Sequence, residues 1–336
     1  MAHTSKKMSF RRLAAASATA LFAMGTLAAC GGDTSNDAAA NGEGEELTQM
    51  SVIVAPIHFE PAYIADRMGF FEDHGLDVDV RPGADAQANF AQALSGDVDI
   101  VTTSWTVMVT SNSEGVPVKT VAGNGYLAPD AQGSGVFVKP DSGIDSIADL
   151  EGKTLGVQGV RSGSDLAVLL AAEDEGIDPE SITQVAIPFS GMQAALESGQ
   201  VDAVMAVDPF ASQIESAGME NLGNMQAKYT PNVNSTVWAA TDEWLAENSE
   251  LAEKFVAAME DAVEYYDDPA NLDEVRGITA EISQTDIEKV RKDLPAIKMS
   301  ITEEAASDNL ADLNRLGYIT KEVTFEDAVW EGAPLD

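Results

Sequence analysis

A short block occurs twice in this chain, about 100 residues apart. Its copies span residues 93–100 and 195–203, and each contains a helix end, a glycine and then Val-Asp entering an apolar strand. A strand, a helix, a strand and a helix are predicted before each copy, so one β-α-β-α-β unit is repeated. The repeat predicts two similar α/β lobes. A cleft between two lobes is where small ligands bind.

The fold class expected from this pattern is α/β, with mostly parallel sheets flanked by helices and a cleft between two lobes. Lobe 1 is expected over residues 48–138 and 236–336, and lobe 2 over residues 139–235. The two crossings are placed near Val138, ahead of Lys139-Pro140, and near Ser235. The C-terminal helices are acidic and are expected to pack on lobe 1, because their apolar faces need cover.

Residues 1–29 have the pattern of a secretory signal, with four basic residues ahead of an apolar run over residues 13–27. Cys30, the single cysteine of the chain, follows directly. A lone cysteine in an exported protein cannot form an internal disulfide, so lipid anchoring is the simpler interpretation. The alternative is a non-lipidated signal with a chance cysteine. Arg11-Arg12 leaves the export route open between the general and the twin-arginine pathways.

The charge balance limits the partners of the chain, which has 19 Lys and Arg against 56 Asp and Glu and a formal net charge of −37. Nucleic acid is not an expected partner, because phosphate binding requires a basic surface. Adsorption to anionic lipid is disfavoured for the same reason, so we expect membrane contact through the anchor only. Residues 30–47 predict a disordered tether. No later apolar run approaches the ~20 residues of a spanning helix.

Several stretches then resemble one family. Residues 65–78 match the pattern A-x-x-x-G-F-F-x-x-x-G-L-x-V, and residues 93–100, 149–157, 195–203 and 208–210 fit the same family in the same order. The chain resembles periplasmic substrate-binding lipoproteins of the nitrate/sulfonate/taurine type, the SsuA/THI5-like or NMT1-like family. The resemblance implies a type II periplasmic-binding-protein fold and a monomer that delivers a small solute to an ABC permease and ATPase. It also implies a location at the outer face of the cytoplasmic membrane.

Ligands of open α/β sheets bind beyond the carboxyl ends of the strands, so the segments after predicted strands supply the candidate site. Most candidates follow a strand directly, and Tyr126 and Trp238 are expected to wall the cleft. The predicted solute-binding residues are His58, Phe59, Glu60, Ser104, Trp105, Thr106, Tyr126, Arg161, Ser162, Ser164, Ser190, Asp208, Phe210 and Trp238.

Several of these residues have a structural interpretation as well as a solute-binding one. Ser162-Gly163-Ser164 opens a helix and, with Arg161, suits an anion, or it is an ordinary helix cap beside a solvated arginine. Trp105 either stacks on a planar ligand or packs between elements. His58 either hydrogen-bonds the solute or lies in the core or on the surface. Asp208 either receives an amine or ring N–H, or caps a helix or serves at the hinge.

The leading function is solute binding without catalysis, and no cofactor or metal is expected. The sequence contains no Ser-His-Asp set, phosphate loop or H-E-x-x-H motif. Pyrimidine-synthesising relatives of the family rely on a cysteine-rich motif that this chain does not have. A sensory or adhesive lipoprotein on the same fold is the second alternative. One arginine, several hydroxyls, two carboxylates and aromatic rings suit a zwitterion or a planar amine-bearing heterocycle at least as well as a bare anion.

Overall fold

The computed structural model describes residues 47–55, 58–83 and 86–336. The predicted signal, Cys30 and nearly all of the predicted tether lie outside these residues. The strands are β1 (Thr48–Val54), β2 (Leu76–Pro82), β3 (Ile100–Ser104), β4 (Val118–Gly123), β5 (Ser134–Val138), β6 (Thr154–Val157), β7 (Thr183–Ala186), β8 (Ala203–Val207), β9 (Glu220–Asn221) and β10 (Thr236–Thr241). No helix in this part of the chain is both long and apolar enough to span a bilayer.

Helices cover both sheets and form most of the C-terminal third of the chain. They are α1 (Glu60–Met68), α2 (Phe70–Asp73), α3 (Ala86–Leu94), α4 (Trp105–Ser113), α5 (Ser164–Asp174), α6 (Phe189–Ser198), α7 (Phe210–Ser216), α8 (Met225–Tyr229), α9 (Asp242–Glu247), α10 (Ser249–Asp267), α11 (Leu272–Ile282), α12 (Glu303–Arg315) and α13 (Phe325–Ala328).

The two predicted lobes are two five-stranded sheets of the same design. Their strand orders are β2-β1-β3-β10-β4 and β7-β6-β8-β5-β9. In each sheet the repeated unit supplies three parallel neighbours, and one antiparallel strand, β10 or β5, follows them. The sheets are mixed but mostly parallel, as predicted: four strands run one way and a single strand, β10 or β5, runs against them. The reason is topological: β5 and β10 each enter their sheet from the other lobe, at its carboxyl edge, and must run away from that edge.

The first crossing lies earlier than the sequence predicts. The sequence predicts residues 134–138 in lobe 1, but Ser134–Val138 pairs with β8 and β9 in the second sheet. The chain therefore crosses between Gly123 and Ser134, whereas the return crossing ends at Ser235, directly before β10. An apolar run shows that a strand is buried, and it does not show which of two sheets the strand joins.

The crossings form a ribbon of three segments. Leu127 donates its N–H to the Val233 carbonyl at 3.0 Å, which pairs the two crossings. On the other side, Tyr126 donates its N–H to the Ala296 carbonyl at 2.9 Å. The third segment belongs to residues 283–336, which we call the C-terminal segment. The border between the lobes thus includes this segment as well as the two crossings.

The repeated Val-Asp block has the same structural task in both lobes. Asp99 accepts a hydrogen bond from the N–H of Ser51 at 2.7 Å, and Asp202 accepts one from the N–H of Thr154 at 2.8 Å. Each carboxylate therefore holds the first strand of its unit. The glycines before them, Gly96 and Gly199, both have φ of +74°. Such a backbone conformation favours glycine and ends the preceding helix.

Candidate functional site

The lobes touch where α4 and α5 begin. Ser104, at the carboxyl end of β3, caps α4 by accepting the N–H of Val107 at 3.2 Å. Gly163 precedes the first residue of α5 and lies against Thr106, because a Cβ added at Gly163 would come within 2.5 Å of the Thr106 Oγ1. Two helix starts from different lobes therefore meet at the edge where open α/β sheets bind ligands.

The loop before α5 is organised by a carboxylate that the sequence did not single out. Asp165 is fully buried and accepts the N–H of Arg161 at 2.8 Å and the N–H of Gly163 at 3.0 Å. Two of the N–H groups before this helix are therefore already bonded to a side chain of the protein. Burial raises the pKa of Asp165, and its hydrogen bonds from Tyr318, Arg161 and Gly163 act in the opposite direction.

The other residues of this loop remain partly accessible. Ser162 and Ser164 are half-buried, with their hydroxyl oxygens 3.5 Å apart. Arg161 is exposed, and its guanidinium carbon lies 5.8 Å from the centre of the Tyr318 ring. The arginine and the two hydroxyls are thus available at the border between the lobes.

Asp208 follows β8 and has both carboxylate oxygens engaged. Oδ1 accepts the N–H and the hydroxyl of Ser212, at 2.9 and 2.7 Å. Oδ2 lies 3.0 Å from Nη1 of Arg291, in the C-terminal segment. Asp208 therefore holds the start of α7 and also bonds to the C-terminal segment. The peptide bond from Asp208 to Pro209 is cis.

An aromatic pair stands beside Asp208 in the second lobe. The rings of Phe210 and Phe189 stack with centroids 5.8 Å apart and an interplanar angle of 16°. Both rings are half-buried, and Ser190, in the first turn of α6, is exposed. Phe210 is the aromatic residue predicted for the site in the second lobe, and its side chain is partly accessible.

Four predicted residues lie in the core of the first lobe rather than on a cleft wall. Phe59 packs edge-on against Trp238 with centroids 5.3 Å apart, and Trp238 is fully buried. Trp105 is 2% exposed, and its indole N–H donates to Oδ1 of Asn309 at 3.1 Å. Glu60 is buried and accepts the hydroxyl of Thr279 at 3.1 Å. For Trp105, the alternative of packing between elements matches these surroundings.

His58 and Tyr126 lie near the crossings. The buried Asn124 donates to the carbonyl of His58 at 2.7 Å and holds this residue at a φ of +63°. Tyr126 donates its hydroxyl to Oδ1 of Asn232 at 2.6 Å, and so joins the two crossings. The polar atoms named here are engaged in the protein, so both residues shape the border between the lobes.

Two surface grooves are lined by other residues, although the second contains Asn232 and Asn309, the hydrogen-bond partners of Tyr126 and Trp105. One, of about 650 Å³, contains Phe70, Tyr265 and four acidic residues of α10 and its end. The other, of about 410 Å³, separates residues 229–233 from α12. Neither groove contains a predicted site residue. Among the described residues, no group of three or more His, Cys, Asp or Glu side chains is arranged to hold a metal ion.

The residues missed from sequence are those that join the lobes through the C-terminal segment. They are Asn124, Asp165, Arg291 and Tyr318. An acid in the first turn of a helix that follows Ser-Gly-Ser is a local signal that points to Asp165. Nothing local points to Arg291 or Tyr318, because their partners lie in another lobe.

Two α/β lobes of one design, joined by crossing strands and meeting at two helix starts, define the periplasmic-binding-protein class. Residues 57–271 match the family model described as NMT1/THI5 like. The chain belongs to the NMT1/THI5-like family.

Relatives and solved structures agree with this class. The riboflavin-binding protein RibY of Chloroflexus aurantiacus is 28% identical over 216 residues, which cover 64% of this chain and 60% of RibY. The aliphatic sulphonate binding protein SsuA of Escherichia coli has a TM-score of 0.71 at 15% identity, over 85% of this chain and 98% of SsuA. The desulfurization enzyme DSZB has a TM-score of 0.60 at 16% identity, over 85% and 97%. At these identities, the two structures show the fold alone.

Proposed function

We propose that this chain is a lipid-anchored, extracytoplasmic solute-binding protein of an ABC importer. It captures a small organic solute by closing its two lobes, and it does not transform that solute. The observation that carries the proposal is the contact between Thr106 and Gly163, which brings two helix starts together across the lobes. Membership of the family and the name of the relative RibY support the same function.

The proposed solute contacts are the residues at the carboxyl edges of both sheets. In the first lobe they are Ser104 and Thr106. In the second lobe they are Arg161, Ser162, Ser164, Ser190, Asp208 and Phe210. The buried Phe59, Glu60, Trp105 and Trp238 support these contacts from behind, because a binding site is only as well ordered as the side chains that back it.

The solute is proposed to be a planar heterocycle, uncharged or with an amine, rather than a bare anion. Two N–H groups before α5, those of Arg161 and Gly163, are already bonded to Asp165. A second carboxylate, Asp208, stands at the same border, and the stacked Phe189 and Phe210 offer a surface for a flat ring. RibY is named for riboflavin, which is a planar heterocycle.

The proposed anchor rests on the sequence of residues 1–30. Acylation at Cys30 would keep the acidic protein at the membrane surface without a spanning helix. Replacing Cys30 with serine is expected to release the protein into the soluble fraction of the cell envelope. Retention of Cys30→Ser in the membrane fraction would contradict the anchor.

A thermal-shift screen of the protein starting after Cys30 tests solute binding. The probes are riboflavin, thiamine, aminopyrimidines, taurine, ethanesulfonate and nitrate. A solute that binds the folded state stabilises it by ~2.7 kcal/mol at a hundredfold excess over its dissociation constant. We expect a heterocycle to raise the melting temperature, and ethanesulfonate and nitrate to leave it unchanged.

Matched variants distinguish residues of the proposed site from residues elsewhere on the surface. Phe210→Leu and Arg161→Ala are expected to reduce the response, whereas Arg67→Ala, an exposed arginine bonded to Glu281, is not. A response to nitrate or a sulfonate would overturn the proposed solute class. A lack of response to every probe would count against the solute-binding role, and consumption of the bound solute would identify an enzyme.

A further inference from the structure

A tyrosine of the C-terminal segment reaches into the second lobe at the candidate site. The hydroxyl of Tyr318 donates to Oδ2 of Asp165 at 2.7 Å, across 153 positions of sequence. Tyr318 is 3% exposed, and Asp165 is fully buried. A hydrogen bond to a buried carboxylate is among the strong ones, because water does not compete for it.

Asp165 transmits this contact to the loop that faces the first lobe. We call residues 158–163 the solute loop. Asp165 accepts the N–H groups of Arg161 and Gly163 in this loop, at 2.8 and 3.0 Å. Ser162 lies between these two bonds, so the carboxylate sets the direction in which Ser162 points.

The solute loop needs such support because its backbone is strained. Arg161 has a φ of +63°, a left-handed conformation that is unfavourable for a residue other than glycine. Gly163 has a φ of +104°. Conformations of this kind persist where the surrounding structure over-determines them. Here the two hydrogen bonds from these N–H groups to Asp165 hold the backbone in this conformation.

The C-terminal segment is held against α5 at a second point. Arg315, at the end of α12, forms an ion pair with Glu173 near the end of α5. Tyr318 meets α5 in its first turn, so the two contacts lie at opposite ends of this helix. The Tyr318 hydroxyl is therefore delivered to Asp165 by a segment that is docked along the helix.

We propose that Tyr318 is a positioning residue for the solute loop: its hydroxyl holds Asp165, and Asp165 holds the loop that faces Thr106. Its part in solute binding rests on the proposed function. Its part in ordering the loop does not depend on any solute.

Amide hydrogen exchange on the whole protein tests the ordering directly. In Tyr318→Phe, exchange at Arg161 and Gly163 is expected to become about tenfold faster, while the strands of the second sheet keep their rates. The matched control is Tyr229→Phe, which also removes a hydroxyl bonded to a carboxylate of α5, that of Asp174 at 2.8 Å. This control is expected to leave Arg161 and Gly163 unchanged.

A second variant keeps the test decisive if Tyr318→Phe does not fold. Asp165→Asn preserves the shape of the side chain but removes one acceptor oxygen, so it is expected to speed exchange at the same two amides. Unchanged exchange at both amides in a folded variant would overturn the positioning role.

Solute affinity provides the second readout. For the heterocycle that raises the melting temperature, Tyr318→Phe is expected to weaken binding at least about fivefold, and Tyr229→Phe to leave it unchanged. Equal affinity in Tyr318→Phe and the unchanged protein would overturn the link to solute binding. Faster loop exchange in a protein that responds to no probe would contradict the proposed function and leave the ordering role standing.

Discussion

Arg291 joins the C-terminal segment to the second lobe through Asp208, with 3.0 Å between Nη1 and Oδ2. The other oxygen of the same carboxylate accepts two hydrogen bonds from Ser212. Asp208 therefore has one bond across the lobes and two within its own lobe.

This asymmetry predicts that replacing Asp208 lowers the free energy of unfolding more than replacing Arg291 does. Arg291→Gln is expected to lower the free energy of unfolding by less than ~1 kcal/mol, because partly exposed ion pairs contribute little. Asp208→Ala is expected to cost ~1–2 kcal/mol, because the N–H of Ser212 also loses its acceptor. Urea unfolding measures both. Equal costs would show that the bonds to Ser212 contribute nothing.

The repeated aspartates give a second prediction. Asp99→Ala and Asp202→Ala each remove the carboxylate that accepts a strand N–H, so each is expected to cost ~1–3 kcal/mol of unfolding free energy. The two losses are expected to add, because the residues lie in different lobes.

Asp77→Ala is the control for these variants. Its exposed carboxylate accepts a bond from the Gln49 side chain at 3.4 Å, and its loss is expected to change stability by less than ~0.5 kcal/mol. If Asp99→Ala behaved like Asp77→Ala while Asp202→Ala did not, the shared role of the repeated block would be wrong.

The same block shows how far the sequence predicts this fold. A glycine followed by Val-Asp and an apolar strand is a local pattern, so the two lobes and their parallel units follow from it. The sheet joined by Ser134–Val138 does not, because periodicity reports burial and not the partner. Tyr318 could not be predicted either, since its bond to Asp165 depends on where α12 docks. Trp238 illustrates the reverse case: the sequence predicts it on a wall of the cleft, and it lies in the core.

The pH dependence of stability gives a third prediction. Lys298, Ser300 and Thr302 donate to the carboxylate of Asp336 and lower its pKa to about 2. An unfolded aspartate has a pKa of about 3.9, so the contribution is complete above that pH and is lost as pH falls through about 2. In Asp336→Asn the stability curve is expected to be flatter over this window.

Lys298→Met provides the check on the cause. It removes the cation that lowers the pKa of Asp336, and it is expected to flatten the same window of the urea-unfolding curve. A curve for Asp336→Asn that still falls as steeply as that of the unchanged protein would show that other carboxylates account for the acid response.

The contact between Gly163 and Thr106 predicts that a larger residue at position 163 keeps the two lobes apart. A Cβ at residue 163 would lie 2.5 Å from the Thr106 Oγ1 and 3.1 Å from its Cβ, which is too close for either atom. Gly163→Ala is therefore expected to separate the lobes, to increase the radius of gyration in small-angle scattering and to abolish the response to solute.

Gly176→Ala is the control that distinguishes the effect of this clash from the effect of backbone strain. Gly176 has a φ of +82° and no atom within 4 Å of an added Cβ, so its variant carries a left-handed strain of ~1–2 kcal/mol without a clash. Gly176→Ala is expected to lose that stability and to keep its radius of gyration, whereas Gly163→Ala, at φ +104° and ψ −33°, is expected to lose at least as much. Adding Thr106→Ala to Gly163→Ala removes the closest atom and is expected to restore part of the closure. If Gly163→Ala scattered like Gly176→Ala, the two helix starts would not limit how closely the lobes approach.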